Sequence, residues 1–67
     1  MTTYYQIMAY SHTAQQQMQE VDLTEEPTQD RAYAELRASS YAQRLNTDHY
    51  LHATDWVGQV QANEQHG

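Results

Sequence analysis

Cysteine and phenylalanine are both absent from this 67-residue chain, which also holds one proline, two glycines and three basic residues. Without cysteine there is no disulfide framework and no thiolate metal site. Two glycines, Gly58 and Gly67, cannot build a glycine-rich phosphate loop. The basic residues, Arg31, Arg37 and Arg44, face nine acidic ones, for a formal net charge of −6. On average a nucleic-acid backbone or an anionic membrane would be repelled. No basic segment leads into an apolar run, and no stretch approaches the ~20 apolar residues of a membrane span, so a soluble, cytoplasmic chain is the expectation.

What remains is a single domain near the size at which burial only just offsets the entropy of ordering. Much of its apolar content is alanine and tyrosine, which bury either little area or a hydroxyl that needs a partner. A second copy or a partner would help to complete such a core.

The organising element is PTQDRAYAELRASSYAQRLN, residues 27–46, which reads as a helix over about 28–46. Ala34, Ala38, Tyr41, Ala42 and Leu45 fall on one stripe, mostly of small side chains that let the helix axis lie close to a sheet. Tyr33, Leu36 and Ser40 form a second group well round the cylinder, flanked by Arg37 and Arg44. Two helix starts compete. Thr24 would cap ahead of Glu25, Glu26 and Pro27, whereas Thr28 would cap ahead of Gln29 and Asp30; the bias that Pro27 places on Glu26 favours Thr28.

Upstream, residues 4–11 combine aromatic and β-branched side chains with neither glycine nor proline, the composition of a strand. Tyr5, Ile7 and Ala9 are expected to meet the helix, with Tyr4, Met8 and Tyr10 as an exposed strip on the other face. Residues 18–23 alternate as a second strand, with Val21 and Leu23 inward and Glu20 and Asp22 towards water. Residues 55–62 supply a third, in which Trp56, Gly58, Val60 and Ala62 alternate with Val57, Gln59 and Gln61. Gly58 there suggests a bulge or a close approach of another group. The tail, 64–67, is expected to fray.

These elements define an α+β domain of ββαβ type. A short connection pairs the first two strands antiparallel, and a right-handed crossover through the helix sets the third beside the first. The expected sheet order is 2-1-3, with the helix on one face and the other face bare.

Candidate chemistry is sparse. Asp48, His49, His52 and Asp55 lie within eight residues, yet HxxH lacks the glutamate of the HExxH signature, so a solvated connection is the expectation and metal or small-ligand binding the alternative. Ser11 beside His12, and Ser39 with Ser40, have no nucleophile elbow around them. Neither catalysis nor a cofactor is expected. The features that point outward are the acidic run Glu20, Asp22, Glu25, Glu26 and Asp30, and the aromatic and apolar set Tyr4, Met8, Tyr10, Tyr33 and Leu36 with Arg37 beside it. Together they suggest a small acidic module that occupies a basic surface of a larger protein, as an inhibitor or adaptor of the phage or mobile-element kind. A homodimeric structural protein, paired through the bare sheet face or the Tyr33 and Leu36 group, is the other reading.

Overall fold

The computed structural model of the chain describes residues 2–65. Strand β1 spans Thr2–Ser11, β2 Met18–Val21 and β3 Val57–Gln65, and the helix α1 spans Arg31–Thr47. The sheet has the order β2-β1-β3 with both pairings antiparallel. β2 and β3 therefore run parallel on either side of β1, as the crossover through α1 requires. The helix lies on one face of the sheet, and among the described residues no second layer covers the other.

α1 buries Ala34, Ala38, Ala42 and Leu45. Ala34 and Ala38 pack on Ile7, with Tyr5 and Val60 beside them. Ala42 and Leu45 meet Ala9, Ala14, Ala53 and Trp56 at the other end. So many small side chains bring the helix backbone down onto β3. A Cβ placed on Gly58 would lie 2.7 Å from the carbonyl carbon of Ala38 and 2.8 Å from the nitrogen of Ser39. Glycine is needed there for space and not for its dihedrals, since no glycine has a positive φ among the described residues.

The helix starts later than Thr28. Asp30 is the cap, its carboxylate accepting from the N–H of Tyr33 at 3.0 Å. Thr28 is held extended because it exchanges both backbone hydrogen bonds with Tyr5, at 2.7 and 3.1 Å. At the other end the helix runs to Thr47, one residue past the expected end, and Asn46 serves as a bracket. Its side chain accepts from the Trp56 N–H at 2.7 Å and donates to the Trp56 carbonyl at 3.0 Å. Trp56 thus precedes β3 and is buried against α1, its indole N–H donating to the carbonyl of Tyr50.

β2 reverses the expected faces. Its register sets Val21 opposite Met8 and Glu20 opposite Ala9, so Val21 lies on the uncovered face and Glu20 on the helix side. The strand stops at Val21 because Asp22 turns inward. Its N–H donates to the carbonyl of Ile7 at 2.9 Å, and its Oδ1 accepts from the backbone and hydroxyl of Thr24. Asp22 is buried, 4% exposed, and Leu23 is thrown outward at 91%. Both reverse the expectation.

The tail also departs from it, since Glu64 and Gln65 pair with Thr3 and Thr2. His66 and Gly67 lie outside the described residues. The connection from β1 to β2 is a short 3-10 turn, Ala14–Gln16. It runs through three consecutive positive φ angles at Gln15, Gln16 and Gln17, the last at 103°.

Candidate functional site

The residues expected to face outward separate into three groups. On the uncovered sheet face, Tyr4 and Tyr10 are half-buried and Met8 is buried, only 6% exposed. Met8 sits on the central strand between Val21 and Gln59, whose side chains flank it on both sides. It is not a surface contact. Gln6, Gln19, Gln59, Gln61 and Asn63 share this face, which therefore carries amides where an aromatic strip was expected. Val57 is its one exposed large apolar side chain among the described residues.

Glu20 belongs to a second group, beside the tyrosines under the helix. The Tyr50 hydroxyl donates to Glu20 Oε1 at 3.3 Å, and the Tyr41 hydroxyl donates to the carbonyl of Val21 at 3.4 Å. The Glu20 charge pushes the Tyr50 hydroxyl above its ordinary value, and burial, then the Glu20 and Asp22 charges, does the same to Tyr41. Both phenols stay protonated and act as donors that tie the 50–52 turn and the helix to β2. Glu20 and Asp22 are thus internal partners.

The third group lies along α1 on the side of β2, and here Glu25 is the centre. Its Oε1 accepts from Arg37 Nη2 at 2.8 Å and its Oε2 from the Tyr33 hydroxyl at 3.4 Å. The loop after β2 is thereby strapped across the helix flank, covering part of the surface that the sheet does not reach. Among the described residues Arg37 Nε is left buried without a partner. Leu36 nonetheless stands out at 65% and Tyr33 at 42%, with Glu26 and Asp30 exposed nearby in the chain. Arg44 is occupied over the ring of Tyr41 at 5.5 Å. Here Glu25 is brought against Tyr33 and Arg37, and Asp30 against the backbone of Tyr33.

Leu23 was not anticipated as a surface residue. Its signal was the Asp-Leu-Thr sequence, in which Asp22 can close a turn on Thr24 and eject the residue between them.

The polar cluster around Asp55 resolves differently from a metal centre. Asp55 accepts from the hydroxyls of buried Ser11 and of Thr13 and from the N–H of His12, so it latches the end of β1 to the start of β3. The hydrogen bond from Ser11, followed by that from Thr13, holds its carboxyl below the usual carboxylate range. The Ser11 oxygen in turn accepts from the N–H groups of Thr13 and Ala14. The His12 ring stands edge-on to Tyr10 and is not interposed between Ser11 and Asp55. Among the described residues, no three histidine or carboxylate side chains gather where they could share a metal ion.

A groove of about 590 Å³ runs between α1 and β3, lined by Tyr5, Arg31, Glu35, Ala38, Val60 and Ala62 among others. Arg31 and Glu35 pair across one helical turn at 3.2 Å with both side chains largely in water. Such a pair contributes little to stability.

No family model matches the chain, and neither curated proteins nor solved structures include a match. Among the described residues no helix is long and apolar enough to cross a membrane.

Proposed function

We propose that this chain is a small acidic protein-binding module that acts by occupying a surface of a larger protein, as an inhibitor or adaptor. The observation that carries the reading is the helix flank at Leu36 and Tyr33, exposed and bordered by acidic residues beside the Glu25 to Arg37 bracket. An exposed large apolar side chain on a helix, with a tyrosine and an ion pair on the same flank, is the arrangement of an interface centre with part of its rim. The complementary surface is an apolar hollow with basic residues round it, which Glu26 and Asp30 would meet. Electrostatic steering then speeds association and makes it salt-sensitive. The contact set is Leu23, Glu25, Glu26, Asp30, Tyr33, Leu36 and Arg37, because Asp22 and Met8 are buried. A cytoplasmic setting and a phage or mobile-element origin belong to the same proposal.

The test is co-purification from the producing cell of wild type against Glu26→Lys and Leu36→Asp. Among the described residues neither makes an internal side-chain bond, whereas reversing Glu25 would also break the bracket to Arg37. A protein retained by wild type and lost with both variants supports the reading. Retention by both variants, with unchanged helical content, refutes it.

A further inference from the structure

We infer that the outer edge of β3 is a self-association edge, at which a second copy of this chain pairs to make a continuous six-stranded sheet. The hydrogen-bond pattern decides which backbone groups are available. Tyr5 exchanges its backbone bonds with Thr28, and Ile7 accepts from Asp22, so the odd residues of β1 face the β2 side. The even residues face β3, and in an antiparallel ladder their partners Val57, Gln59, Gln61 and Asn63 face inward. The N–H and C=O groups of Gly58, Val60, Ala62 and Glu64 are therefore directed outward. Among the described residues no strand pairs with them.

Exposed edges are usually blunted by proline, by lysine, by a bulge or by a covering loop. β3 has none of these along its nine residues, and its sole charge is Glu64 near one end. Beyond α1 it continues with β1 as a two-stranded ribbon, Thr2 to Tyr4 against Asn63 to Gln65. A two-stranded ribbon is marginal by itself.

A second copy fits this edge for reasons of register. A two-fold axis at Gln61 sets Gln61 against its own copy, Val60 against Ala62, Gln59 against Asn63 and Gly58 against Glu64. The outward residues then fall opposite one another, as an antiparallel ladder requires. On the helix side the pairs are apolar with apolar, and the glutamate meets a glycine. On the open face amide meets amide, each with donors and acceptors to offer. No like charges are opposed. The acidic groups that give the chain its charge lie mainly at the β2 side and in the loop beyond it. The edge is about 30 Å long at ~3.3 Å per residue. A single strand edge with the adjoining groove is a small interface by the standard of stable complexes. The dimer is accordingly concentration-dependent.

Sedimentation velocity on the full chain, from micromolar to millimolar, tests this. Wild type is expected to pass from monomer to dimer. Gln61→Lys and Gln61→Glu, each placing like charges at the axis, are expected to stay monomeric alone and to form a dimer when mixed. Amide exchange on wild type gives a second readout that needs no variant. The N–H groups of Gly58, Val60 and Ala62 should slow with concentration while those of Gln59 and Gln61 do not. A wild type that is monomeric at millimolar concentration overturns the inference. So does a dimer that survives in both single variants, or that is lost with Leu36→Asp while both Gln61 variants keep it. Exchange of the three outward amides that ignores concentration would overturn it as well.

Discussion

Replacing Gly58 by alanine probes the contact on which the packing of α1 depends. The added methyl would sit 2.7 Å from the Ala38 carbonyl carbon, 2.8 Å from the Ser39 nitrogen and 2.9 Å from the Ala38 oxygen. All three are backbone atoms of a helix, so no side-chain rotation relieves the clash. Overpacking of this kind costs ~1–3 kcal/mol, and the absence of a flexible neighbour places it at the upper end. The opposing gain, from restricting the unfolded chain, is only ~0.4–1 kcal/mol. A net loss of about 2 kcal/mol remains, which for a domain of this size lowers Tm by roughly 8–16 °C. Urea and thermal unfolding followed through the fluorescence of Trp56, the only tryptophan, would measure it. Gln61→Ala, on the same strand but exposed on the open face, is the control and should change stability by less than ~0.5 kcal/mol. A Gly58→Ala protein as stable as that control would refute the close approach of α1 to β3.

Two further outcomes follow from the loops. Gln17 has a φ of 103°, where an L side chain is strained, so Gln17→Gly should raise stability by about 0.5–1 kcal/mol in urea titration. An unchanged or lower midpoint would contradict the strained turn. Asp55 has its carboxyl pulled below its ordinary value by Ser11 and Thr13. Its contribution is therefore complete above the unfolded value near pH ~4 and is lost as pH falls through the lower folded value. The stability gap between wild type and Asp55→Asn should be constant above pH ~5 and narrow below it. A gap that is the same at all pH values would remove Asp55 from that role.

The α+β class and the 2-1-3 order were legible because they rest on local features. β1 has strand composition throughout, the alanine stripe of α1 is periodic, and the handedness of a crossover leaves few places for β3. Gly58 was also readable as a close approach. The misreadings come from contacts between distant residues. Helix capping at Thr28 was a sound local expectation, defeated by the backbone bridge to Tyr5. The faces of β2 were inverted because its register follows a turn of three left-handed glutamines, which have no sequence signature comparable to Asn-Gly. Asp22 reads as a solvent-facing acid in an alternating strand, but its use as a turn cap buries it. Asp55 reaches Ser11 across 44 residues, a pairing no spacing rule reveals. Of the candidate site, Tyr33, Leu36 and Arg37 were visible as a surplus face of the helix. That Glu25 would strap the loop across them was not.

Whether the Leu36 flank of α1 meets another protein is decided by placing a photo-crosslinking residue at position 36 in the producing cell. A second protein with the crosslinker at 19, on the open sheet face at β2 and away from the β3 edge, is the comparison. One discrete larger adduct is expected from position 36, weakened by added salt and lost with Glu26→Lys, and none from position 19. Adducts from position 19 and none from position 36 would contradict a protein contact at the Leu36 flank.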